Sequence, residues 1–138
     1  MRALIDTCII IDALQSREPF KDNAEKIFLL AANNSFDGFI TAKSVTYIYY
    51  ITHRLTHSDQ NTREILSKLF TLFSILDTTG TDCKKALLSK ISDYEDAVMV
   101  ATAIRSDMNC IITRNQKDYT NSLLPVYSPD EFINNFNF

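Results

Sequence analysis

Asp6, Asp96 and Asp118 lie far apart in the chain, yet each stands where a structural element begins or ends. Asp6 closes the apolar run Arg2–Ile5, Asp96 opens the helical pattern Ala97–Ile104, and Asn115 and Asp118 follow the apolar run Cys110–Thr113. If these runs belong to one sheet and its helices, the three carboxylates meet at one end of it. Like charges held together push one another toward protonation unless a cation is present. An oxygen-only donor set favours Mg²⁺ or Mn²⁺, hard ions that keep part of their water and bind phosphate oxygens. Such an ion can generate hydroxide and clamp a phosphodiester. The competing reading is a plain helix start. Ser92-Asp93-Tyr94-Glu95 has the form of a capping box, and the macrodipole favours acidic groups in a first turn. At about 100° per residue Glu95 projects opposite the apolar face while Asp96 lies on its flank. Glu95 is therefore expected to be the more exposed.

Several other chemistries are excluded. Gly38 and Gly80 are the only glycines and stand alone, so a dinucleotide loop, a Walker A loop and a nucleophile elbow are absent. Cys8, Cys83 and Cys110 are odd in number and lack C-x-x-C spacing, which argues for a reducing cytoplasm rather than a disulfide framework or zinc knuckle. His53 and His57 have i, i+4 spacing, but Arg54 replaces the metalloprotease glutamate, so a solvated helix face is expected. No apolar run approaches the ~20 residues of a membrane helix, and Asp6 and Asp12 interrupt the apolar N-terminus against a signal peptide. A net charge of −3 with no basic block argues against bulk electrostatic binding of nucleic acid. It does not argue against cutting nucleic acid through metal ions.

The elements that must position these residues follow from periodicity. With 138 residues and no linker or repeat, one domain over 1–138 is expected. Strands are predicted at Arg2–Ile5, Phe39–Thr41, Ser74–Leu76, Cys110–Thr113 and Pro125–Tyr127. Between them run helical patterns. Asp22–Asn33 carries Ala24, Ile27, Phe28 and Ala31 on one face; the next helix carries Val45, Ile48, Tyr49, Thr52 and Leu55. Asn61–Phe73 aligns Ile65, Leu66, Leu69, Phe70 and Phe73. A short helix is predicted at Asp82–Leu88, and Ala97, Val100, Ala101 and Ile104 give a further face. Ser128-Pro129 starts the last helix with a serine cap and proline at N1. Alternation of this kind implies right-handed crossovers and a mostly parallel sheet covered on both faces. Such sheets bind ligands at the carboxyl ends of their strands, where strand order reverses.

LIDTCIIIDAL (Leu4–Leu14), EDAVMVATA (Glu95–Ala103) and IITRNQKDY (Ile111–Tyr119) resemble, in order, the three motif blocks of the PIN-domain family, and VYSPDEF (Val126–Phe132) resembles its closing strand and helix. The resemblance implies a three-layer α/β/α sandwich with a central, mostly parallel five-stranded sheet. It implies a Mg²⁺- or Mn²⁺-dependent ribonuclease, many members being toxins of bacterial toxin–antitoxin pairs. By position, Asp6, Asp96 and Asp118 match the family's catalytic and metal-binding acids, and Thr7 its small hydroxyl residue. Asn115 matches a site that is aspartate or asparagine. Thr113, Arg114 and Lys117 flank these residues and are candidates for contact with substrate or for support of the metal ligands. RNA is then the substrate, a small antitoxin the expected partner, and the aromatic-rich helices a natural homodimer surface.

In one place the sequence departs from the family pattern. An acidic residue is usual early in the helix after the second strand, and Tyr47 stands there. A phenol is neutral near pH 7 and a poor Mg²⁺ ligand. This departure favours the competing reading, a PIN domain that binds RNA or protein without cutting. Tyr47, Tyr49 and Tyr50 would stack bases or, more ordinarily, fill a core or subunit interface. Arg17, Lys43 and Arg105 are further cations for a phosphate backbone, or ordinary surface charges. A phospho-receiver domain is excluded, because it needs an adjacent acidic pair after the first strand and Asp6-Thr7-Cys8 offers one acid.

Overall fold

The computed structural model describes residues 1–136. Strands β1 (Arg2–Ile5), β2 (Asp37–Thr41), β3 (Ser74–Leu76), β4 (Cys110–Ile112) and β5 (Val126–Tyr127) form one parallel sheet in the order β3-β2-β1-β4-β5. Leu4 pairs with Phe39 on one side and Ile111 on the other. Alternate strand residues enter two cores. Ala3, Ile5, Ile40, Cys110 and Ile112 pack under α1 (Thr7–Leu14), α2 (Lys21–Ala32), α3 (Ala42–Thr56), α4 (Asp59–Leu72) and α7 (Pro129–Asn135). Leu4, Phe39, Leu76 and Ile111 pack under α5 (Gly80–Ala86) and α6 (Tyr94–Arg105). Burial on both faces explains why the strands read as unbroken apolar runs. The result is the expected three-layer sandwich. The chain starts in the centre, winds out through β2 and β3, and returns to β4 and β5, so the switch point lies between β1 and β4.

Local details differ from the sequence reading. Helix α5 begins at Gly80 because Thr79 and Asp82 form a reciprocal capping box, and it ends at Ala86, leaving Leu87 and Leu88 exposed. Helix α6 is capped by Asp93 and not Ser92: the Asp93 carboxylate accepts the Asp96 N–H at 3.0 Å. Leu55 and Phe70, assigned to buried stripes, sit at helix margins and are exposed. Tyr47 and Tyr50 are also exposed, so they are not core. The Ser128 cap with proline at N1 is present.

Two buried acids tie elements together. Asp82 has no exposed side-chain surface and accepts from Arg105 Nε at 2.9 Å, Thr102 Oγ1 at 3.1 Å and the Thr79 N–H at 2.9 Å. Burial alone would raise its pKa, but the Arg105 and Thr79 hydrogen bonds outweigh it and hold the carboxyl below its ordinary value. This joins α5 to α6. Asp12 on α1 likewise accepts from Arg114 Nε at 2.6 Å, tying α1 to the segment after β4.

Gly38 in β2 is required by packing. A Cβ there would lie 2.6 Å from Cδ1 of Phe73, whose side chain is fully buried. Gly38→Ala is therefore expected to destabilise the fold by about 1–3 kcal/mol, read as a lower denaturation midpoint with an unchanged slope.

Candidate active site

Asp6 sits at the switch point, its N–H donating to the Ile112 carbonyl at 2.9 Å. Its side chain is oriented from below. Thr113, fully buried, donates Oγ1 to Asp6 Oδ2 at 2.7 Å and accepts the Asn115 N–H at 3.0 Å. Cys8 Sγ lies 3.6 Å from the same carboxylate oxygen. Burial, then the Asp6 charge, push the Cys8 thiol up to about 11, so it stays a neutral donor. Thr113 thus supports Asp6 from beneath.

Asp96 lies in the first turn of α6, partly buried, and Glu95 beside it is exposed, as helical geometry expects. Asp6 and Asp96 line one cavity of about 430 Å³ together with Thr7, Lys43 and Tyr47. Lys43 reaches Glu95 across the mouth at 2.8 Å. Burial, then the charge of Asp6, then that of Asp93 push the Asp96 carboxyl up to about 6, with Asp118 adding to the effect. The site carries more negative charge than its surroundings compensate.

Asp118 stands on a 3-10 turn, Gln116–Tyr119, and is exposed; it acts on Asp96 through its charge but does not line the cavity. Lys117 is exposed on the same turn and Asn115 partly buried before it. Arg114 is engaged elsewhere: it pairs with Asp12 and its guanidinium lies 4.1 Å from the Phe20 ring centroid. Arg105 is engaged with Asp82.

Tyr119 was not singled out from sequence. It is buried, and its hydroxyl forms no hydrogen bond of ordinary geometry among the described residues. Burial raises its pKa, and the charges of Asp6 and then Asp96 raise it further; in turn the hydroxyl draws the Asp96 pKa down. The buried phenol is thus coupled to both carboxylates, although Tyr119 does not line the cavity itself. A lone aromatic in a turn has no periodicity to betray it.

Among the described residues no group of three His, Cys, Asp or Glu side chains is placed to hold a metal ion. Of the three carboxylates on the cavity Glu95 is paired with Lys43, and the other two, Asp6 and Asp96, suit Mg²⁺, which is commonly bound by one or two carboxylates with water and substrate phosphate completing its shell. The donors are oxygens alone, and the negative charges of Asp6 and Asp93, which after burial raise the Asp96 pKa, are ones a bound cation would offset.

A family model described as a PIN domain matches residues 2–117. The chain belongs to the PIN-domain family. Its fold is similar to a chain of the toxin–antitoxin complex from Klebsiella pneumoniae, at 25% identity and TM-score 0.66 over 92% of this chain and 97% of that one. It is also similar to VapBC2 from Rickettsia felis bound to a promoter DNA fragment, at 17% identity and TM-score 0.66 over 93% and 98%. FitAcB from Neisseria gonorrhoeae gives 17% identity and TM-score 0.63 over 92% and 97%. No curated protein matches the chain. No described helix is long and apolar enough to cross a membrane.

Proposed function

We propose that this chain is a Mg²⁺- or Mn²⁺-dependent ribonuclease and the toxin of a toxin–antitoxin pair. The observation that carries the reading is the placement of Asp6 and Asp96 on one cavity at the switch point of a PIN-domain sheet. The neighbouring complexes support a small antitoxin as partner. Asp6 and Asp96 would hold the ion, with Asp118 adding its charge, and the ion would supply a Lewis acid and a source of hydroxide for hydrolysis. Thr113 keeps Asp6 turned toward the cavity. Thr7 lines the same cavity, and Asn115 and Lys117, which follow β4, would contact the RNA backbone. Total RNA should be cleaved with Mn²⁺ and not in EDTA. Activity that persists in EDTA, or unchanged in both Asp6→Asn and Asp96→Asn, would overturn the mechanism.

Tyr47 favours the second reading, a PIN domain that binds without cutting. It lines the cavity where the family resemblance places an acid. Its side chain is 57% exposed, so a smaller residue there leaves no buried void. If the site is catalytic and one charge short, Tyr47→Glu should increase the Mn²⁺-induced rise in melting temperature and speed cleavage at limiting metal. An unchanged metal response with no cleavage in either protein would place the binding module ahead.

A further inference from the structure

Away from the acidic site, a second hollow of about 480 Å³ opens between α5, the segment after it, and α6. Its floor is the α6 stripe Ala97, Val100, Ala101 and Ile104, the same i, i+3, i+4, i+7 face that the sequence assigns to the core. The opposite side of α6 carries Val98, Met99 and Ala103, all buried. Ala97 and Val100 are already buried with Ala86 and Ile91, so the part of the stripe left open to the hollow is Ala101 and Ile104. At the rim Leu88 and Leu123 are 89% and 86% exposed, and Ile104 is 42% exposed. Grouped apolar exposure around a concavity is the pattern of an interaction site rather than of scattered surface residues.

The charges select the occupant. Lys85 and Lys90 line the hollow, and Arg105 there is paired with Asp82; no carboxylate is part of the lining. A second copy docking by two-fold symmetry would set this cationic rim against itself. The concave shape suits inserted side chains better than a lipid surface, and the floor is made of helices, with no strand edge to pair. We propose that this hollow receives an amphipathic helix of a partner protein, its apolar stripe flanked by Asp and Glu. The surface is separate from Asp6 and Asp96 and goes beyond the nuclease reading.

The test uses the full chain and two labelled synthetic helical peptides with leucines at i, i+3, i+4 and i+7. One carries Glu at the remaining positions and the other Lys. Fluorescence anisotropy should show the Glu peptide binding at least about tenfold tighter, with the difference shrinking at high salt. Leu88→Ser and Lys90→Glu should each weaken it severalfold while thermal melting and RNA cleavage stay as in the parent. Absence of Glu-peptide binding, equal binding of both peptides, or variants that bind like the parent would overturn the proposal. So would self-association abolished by Leu88→Ser, which makes a second copy the occupant, or tighter binding to phosphatidylglycerol vesicles than to the peptide.

Discussion

Asp96→Asn is expected to abolish metal-dependent RNA cleavage and, at the same time, to make the metal-free protein more stable. The loss follows from removing one of the two carboxylates on the cavity that are not paired with a lysine: a charge-stabilising group of this kind is worth about 10²–10³ in rate. The gain follows from linkage. Asp96 has a folded pKa of about 6 against an ordinary value of 3.8, first because of burial and then because of Asp6. The folded state therefore holds more protons between those values, and stability falls as pH rises through that window. Above about pH 6 the whole penalty remains. Two pKa units correspond to ~3 kcal/mol, and solvent screening of a partly exposed group reduces this to about 1–2 kcal/mol. The asparagine variant should thus melt roughly 3–6 °C higher than the parent at pH 8 without metal. The difference should vanish near pH 4. Mn²⁺ should raise the parent's melting temperature and leave the variant's nearly unmoved. A variant less stable than its parent at pH 8 would mean that Asp96 makes structural contacts of its own, and cleavage at the parental rate would remove it from the site.

The position of Asp6 was legible because the strand before it is an apolar run that ends abruptly, and parallel sheets present their strand ends to ligands. The exposure of Glu95 was legible from helical geometry alone. What stayed hidden depends on partners distant in sequence. Arg114, beside the motif residues, reads as a phosphate contact, yet its partner Asp12 is 102 positions away and looks like one more polar residue on a helix. The cap of α6 shifted by one residue because Ser92 and Asp93 are both competent and only the chain's approach decides between them. Periodicity likewise found an apolar stripe of α6, whose Ala97 and Val100 are buried in the core, but not the second buried side formed by Val98, Met99 and Ala103. A helix buried on two sides, against the sheet and against α5, shows no single 3.6-residue stripe.

Arg114→Ala is expected to cost more stability than Asp12→Ala, although both break the same ion pair. The Asp12 side chain is 1% exposed and that of Arg114 25% exposed. Removing the guanidinium leaves a buried carboxylate alone, at a cost of about 3–5 kcal/mol. Removing the carboxylate leaves a cation that reaches water and still stacks on Phe20, so the cost should be nearer ~2 kcal/mol. Replacing both residues, Asp12→Leu with Arg114→Met, removes the unpaired charge altogether and should recover most of the lost stability. That double variant also decides what Arg114 does for the candidate site. If it folds and cleaves RNA at close to the parental rate, Arg114 serves by holding the segment that carries Thr113 beneath Asp6. If it folds with cleavage lost and substrate binding weakened, the guanidinium exchanges Asp12 for a phosphate of the RNA during the reaction.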